Sequence, residues 1–183
     1  MLTAADVVSP IVEYFVYGRD RAGALPLKQS LTEEHWTFMD RYGAELIARG
    51  PTMTTEGEYD GSLHIVDLPD LEAAHAFAYD EPYYRAGAFK EVLLYRFHNR
   101  SGRTMWDFTD AVDGYGRFLL IAMNAPTPTP SKHTIVYGDL LDLADESRLG
   151  WAALIEAPDH AAAAQLLPDT QAELHPWAFG GRR

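Results

Sequence analysis

The 183-residue chain contains no cysteine, which excludes disulfides and thiolate metal sites. Basic residues are scarce: 15 Lys and Arg stand against 27 Asp and Glu, a formal net charge of −12. That balance repels nucleic acid and anionic lipid, so neither a nucleic-acid nor a membrane partner is expected. The basic clusters present, "HNRSGR" at 98–103 and the final Arg182-Arg183, read as solvated linker and tail. No apolar run approaches the roughly 18 residues of a membrane span. The opening "MLTAADVVSPIVEYFVYG" lacks the basic start and long apolar core of a signal peptide, and a cytoplasmic location is expected. Glycine-rich phosphate loops, GxSxG and dinucleotide fingerprints are missing too. The 7 histidines follow no metal-ligand spacing, so neither metal nor cofactor is expected. With 47% hydrophobic and 23% charged residues, the chain has the composition of a globular protein able to bury a core. A small-molecule substrate or a protein partner remains.

What the chain does have is an internal echo. "GSLHIVDLPDLEAAHAF" (61–77) aligns without a gap to "GWAALIEAPDHAAAAQL" (150–166). Each copy reads as a glycine turn, a strand, a Pro-Asp helix entry and an alanine-rich helix, with Asp70 and Asp159 as N-caps. Opening strands are expected at 11–18 and 117–124, and closing strands at 90–98 and 172–179. Between strand and hairpin, the first half carries "SLTEEHWTFMDRYGAELIARG" (30–50). Trp36, Met39, Gly43, Leu46 and Ile47 fall there on one helical stripe, and Ser30 with Glu33 fits a capping box. The second half offers "APTPTPSKHTIVYG" (125–138), whose prolines forbid a regular helix.

The expected architecture is therefore α+β: two tandem halves packed as an internal pseudo-dimer, the second missing its first helix. The divisions are 11–98, a complete half; 99–116, a connector pinned by Trp106 and Phe108; and 117–183, a degenerate half. Each sheet leaves one apolar face that its own helices do not cover, and burial at roughly 25 cal/mol per Å² is reason enough for the halves to pack. A homodimer of the fused chain is a further candidate state.

The first half resembles the YCII-related proteins of the dimeric α+β barrel, or ferredoxin-like, superfamily. The resemblance rests on His35 in "TEEHW", on Gly50-Pro51, on the block "GSLHIVDLPDLEAAHAFAYDEPYYRAG" and on a closing strand ending at Phe97. It covers roughly 11–98 well and 117–183 weakly, through the repeat. It implies a His–carboxylate pair in a pocket beside the sheet. In the family the carboxylate directly precedes the proline, usually as Asp; here that position is Glu81, with Asp80 one residue earlier. Relatives activate substrates by acid–base chemistry, including removal of a leaving group from a ring, and superfamily cousins include lactone isomerases, cofactor-free monooxygenases and haem enzymes. Fold alone does not choose among these.

The residues themselves bear on the choice. His35 sits at the edge of the helical stripe, where a pocket can open, and a neighbouring carboxylate would fix its tautomer for proton abstraction near neutral pH. Asp80 and Glu81 end a helix whose dipole disfavours acids there, a local cost that points to use. Tyr83 is the candidate oxyanion donor. Arg85 either binds a substrate carboxylate or pairs with an acid. Trp36, Tyr84 and His64 complete the candidate binding set, although His64 fits an open sheet face equally well. Trp106, Trp151 and Trp177 are candidates for a wall. The leading expectation is a cofactor-independent lyase, isomerase or cyclase acting on a small cyclic or aromatic metabolite. The alternatives are a non-catalytic ligand-binding protein and a cofactor-free monooxygenase.

Overall fold

Alternation of apolar residues with period two produces strands wherever it occurs in this chain. A computed structural model describes residues 12–168 and 172–181; Ile11 of the expected first half, and 169–171 and Arg182-Arg183 of the second, lie outside the described residues. The first half runs β1 (Val12–Asp20), α1 (Leu25–Ser30), α2 (Thr32–Asp40), β2 (Leu46–Met53), β3 (Tyr59–Leu68), α3 (Leu71–Tyr79), α4 (Pro82–Arg85) and β4 (Phe89–Asn99). The second runs β5 (Gly116–Met123), β6 (Thr134–Leu141), β7 (Arg148–Ala157), α5 (His160–Ala164) and β8 (Ala172–Pro176).

All eight strands form one antiparallel sheet in the order β2-β3-β1-β4-β6-β7-β5-β8. The two groups of four repeat the same order, and they join where Arg96–Asn99 pairs with Gly138–Leu141. The two ends of the sheet also meet. Thr52 bridges Trp177, the Ala178 amide donates to Pro51 and the Gly180 amide to Arg49. The sheet is thus a barrel closed on itself, which removes both edges. Gly50 permits this closure: it lies at φ 155, and a Cβ there would stand 1.8 Å from the Ala178 carbonyl oxygen.

Period-two alternation sorts the core. Phe15, Tyr17, Leu63, Ile65, Leu119, Ile121 and Leu154 fill the barrel interior. Their neighbours Tyr14, Val16 and Val66 face outward beneath α2 and α3 with Phe38 and Phe77. Phe118, Leu120, Trp151 and Ile155 do the same beneath α5. The connector is anchored inside the barrel by Met105 and Phe108, whereas Trp106 stays 43% exposed and is not the pin expected of it.

Asp70 and Asp159 cap their helices, accepting from the Ala73 and Ala162 amides. No helix occupies 124–133. The single long helix expected over 30–50 is corrected: two short helices end by Asp40, and Leu46 and Ile47 belong to β2. An apolar pair after a glycine fits a helical stripe and a strand equally, and pairing with β3 decides it. The Ser30–Glu33 capping box does not form. The Ser30 hydroxyl donates back to the Leu27 carbonyl, and α2 begins without a side-chain cap.

Candidate functional site

The junction "YDEPYYR" holds two helices, and the proline starts the second as much as it stops the first. Asp80 is the exposed C-cap of α3. Glu81 is extended, places Pro82 at the first position of α4, and accepts from the Tyr84 amide at 2.9 Å. A carboxylate at an N-cap is favoured by orphan amides, which corrects the expectation that both acids oppose a helix dipole. Capping turns Glu81 inward, where it is 4% exposed. Its other oxygen lies 2.5 Å from His35 Nδ1. The carboxylate accepts the Nδ1 proton, which leaves Nε2 as the ring nitrogen available to a ligand. Tyr83, two residues after Glu81, stacks on the His35 ring at 4.2 Å between centroids and 7° between planes. Burial raises the Tyr83 hydroxyl above its ordinary pKa, against a lowering hydrogen bond with Thr32, so it remains protonated.

A second pair lies beside the first. Lys28, in the last turn of α1, reaches both Asp20 oxygens at 3.0 Å and the Ser62 hydroxyl at 3.0 Å. Asp20 follows a register shift at the end of β1, the kind of irregularity that re-aims a side chain. Both residues are buried. Burial raises the Asp20 carboxyl, with Lys28 pulling it back down. The Lys28 ammonium also stands 5.1 Å from the Tyr83 ring centroid, so this ring contacts both Lys28 and His35. His64, two residues from Ser62 on the same face of β3, is 7% exposed and 5.8 Å from His35 between ring centroids. Burial first, then the charges of His35, Arg49 and Lys28, hold its pKa well below the ordinary value, so its ring is neutral.

These groups border a cavity of about 350 Å³ between α1, α2 and the sheet. Of the residues expected from the sequence, His35, Trp36, His64 and Tyr83 line it, and Glu81 supports it from behind through His35. Asp80, Tyr84 and Arg85 are exposed and lie outside the lining; Tyr84 packs edge-on against Tyr79. Geometry thus pairs His35 with Glu81 rather than Asp80, and Tyr84 and Arg85 stand outside the cavity that holds this pair. Lys28, Ser62 and Arg49 also line the cavity. The far wall is Ala178–Gly181, not the three tryptophans: Trp151 lies in the core beneath α5. The second half has its own His–carboxylate contact, His133 Nδ1 to Glu156 at 3.0 Å. Glu156 there also holds the Val112 amide of the connector. Among the described residues no group of three or more His, Asp or Glu is placed to hold a metal ion, and no helix is long and apolar enough to cross a membrane.

Comparison with known proteins adds a family to this geometry. The profile of the YCII-related domain matches residues 12–98. An uncharacterized protein of Haemophilus influenzae is 26% identical over 92 residues, covering 46% of this chain and 94% of that protein. Among solved structures, the 5-chloro-2-hydroxyhydroquinone dehydrochlorinase of Burkholderia phenoliruptrix AC1100, in complex with 2,5-dihydroxybenzoquinone, matches with 22% identity and a TM-score of 0.45, over 50% of this chain and 98% of that one. A candidate monooxygenase from Lactobacillus acidophilus matches with 8% identity and a TM-score of 0.47, over 92% of this chain and 93% of that one.

Proposed function

With residues 12–98 forming a YCII-related domain, we propose that the chain is a cofactor-independent acid–base enzyme acting on a small cyclic or aromatic metabolite. The observation that carries this reading is the 2.5 Å contact between His35 Nδ1 and Glu81 at the wall of a cavity large enough for a ligand. Nε2 of His35 takes a proton from the substrate, and the buried carboxylate stabilises the imidazolium that results. The protonated Tyr83 hydroxyl is the donor for an oxygen on which negative charge develops. A volume of about 350 Å³ is at the small end of ligand pockets, which run from about 300 to 1,000 Å³, and suits a single ring. Trp36, Met39 and Phe179 supply apolar wall for it.

In this reading the chain has one competent site. Residues 11–98 are a complete half, 99–116 the connector and 117–183 a degenerate tandem half that contributes the wall at Ala178–Gly181, while its own His133–Glu156 contact lies outside the cavity lining and holds the connector. The support is the repeated strand order, together with the missing helix between β5 and β6.

The test is to incubate the chain in deuterium oxide with a panel of enolisable cyclic ketones, hydroxylated aromatics and halogenated hydroxyaromatics, followed by NMR. The expected result is deuterium incorporation or leaving-group loss in at least one compound. The rate should fall by about 10²–10⁴-fold in His35→Asn, with thermal unfolding unchanged. Parental rates in His35→Asn, or ligands that bind and are recovered unaltered throughout, would overturn the reading.

A further inference from the structure

The cavity wall is sorted by charge. Lys28, Arg49, His35 and His64 all border it. The acids that pair with two of them, Asp20 with Lys28 and Glu81 with His35, are absent from the lining. Lys28 borders the cavity while Asp20 does not, and the His35 ring likewise borders it in front of Glu81. Among the described lining residues one carboxylate occurs, Asp40, on the exposed end of α2. A protein with formal net charge −12 would not collect this surface by composition alone.

His64 gives a second, independent sign. It is 7% exposed, borders the cavity, and has ring contacts with His35 and Phe77. Neither of its ring nitrogens hydrogen-bonds to a described residue. A neutral imidazole offers one N–H donor. Ser62 accepts from Lys28, so its own hydroxyl hydrogen remains to be given. Two donors therefore lie beside the Lys28 ammonium, whose own N–H groups go to Asp20 and Ser62: the Ser62 hydroxyl bonded to it, and the His64 ring two residues further along the same strand face.

We propose that the cavity takes its substrate as an anion, a ring compound carrying a carboxylate, enolate or phenolate oxygen that seats against Lys28, Ser62 and His64. This deepens the acid–base reading above and rests on it for the identification of the cavity as a substrate site. The seat also fits the chemistry. When His35 Nε2 removes a proton from a carbon next to a carbonyl, the C–H electron pair moves into the ring and the carbonyl oxygen gains the charge; no oxidant or other reactant is needed. The buried partner Asp20 keeps Lys28 from being an uncompensated buried cation.

The test measures binding rather than turnover, by isothermal titration of the full chain with benzoate and cyclohexanecarboxylate, each against its neutral amide. The carboxylates should bind at least about tenfold more tightly than the amides, as charge-assisted hydrogen bonds exceed neutral ones. The double variant Lys28→Met/Asp20→Leu, which removes both charges and leaves no buried carboxylate or amide at either position, should lose most of that preference. His64→Leu, which serves if the double variant does not fold, should lower carboxylate affinity by several-fold. Amides binding as tightly as carboxylates, no carboxylate binding at about 10 mM, or a preference untouched in the variants would each overturn the proposal. His35→Asn separates the two readings. It should keep the carboxylate preference while losing turnover, and a preference found in a chain that turns over nothing would sink the enzyme and leave the anion site.

Discussion

Replacing Glu81 by alanine tests the geometry on which the site depends, and the cost can be worked from two contacts. One carboxylate oxygen caps α4 through the Tyr84 amide, and the other accepts from His35 Nδ1, both in a residue 4% exposed. Loss of an N-cap costs about 1 kcal/mol. A buried imidazole N–H left without an acceptor adds about 1–3 kcal/mol. The sum is about 2–4 kcal/mol, and at about 2–4 °C per kcal/mol for a chain of this size the melting temperature should drop by about 4–16 °C. Glu81→Gln retains one carbonyl oxygen for two donors, so it should fall between parent and alanine. Asp80→Ala, at an exposed position one residue away, should stay within about 0.5 kcal/mol. Calorimetric unfolding of the four proteins reads all of this. A Glu81→Ala variant melting within about 1 °C of the parent, or an Asp80→Ala variant as damaged as Glu81→Ala, would refute the assignment of Glu81 as the buried partner of His35.

Two further outcomes follow from contacts elsewhere. Asp70→Ala and Asp159→Ala should each cost about 1 kcal/mol in urea unfolding. The double variant should sum them within about 0.5 kcal/mol, because the caps serve separate helices of different halves; a much smaller sum would mean one cap is idle. Burial pushes the Asp139 carboxyl up, but hydrogen bonds from Thr127, Arg100 and Arg148 outweigh it and hold its pKa below the ordinary value. A carboxyl depressed in the folded state contributes stability that is complete above the unfolded value of about 3.9 and is lost as pH falls through the folded one. Asp139→Asn should therefore lose less stability than the parent on acidification below about pH 4, and parallel acid curves would argue against it.

Much of this fold was legible because strands obey period two and short capping motifs are local. Residues 61–77 and 150–166 each hold the end of a strand followed by a short helix, and both Asp caps formed as read. His35 and Glu81 were legible only together, since 46 positions separate them and neither stands out alone. The Pro82 signal was half read: proline stops a helix, but it also favours the first position of the next, and that second role is what turns Glu81 inward. Leu46 and Ile47 were misassigned because two adjacent apolar residues satisfy either period. Lys28 and Asp20 left no trace in the sequence, where a lone lysine reads as surface; their pairing depends on a bulge and a short helix brought together in space. The wall at Ala178–Gly181 was invisible for a related reason, since it exists only when the last strand comes round to meet the second.

That ring closure has a bearing on how the protein behaves when it is scarce. A barrel assembled from two separate chains dissociates as the protein is diluted below the affinity of its subunits, and its pockets go with it. Here both seams, Arg96–Asn99 on Gly138–Leu141 and Thr52 on Trp177, join parts of one polypeptide, so each is an intramolecular event at a high and fixed local concentration. The lining of the cavity described above thus comes from distant parts of one polypeptide.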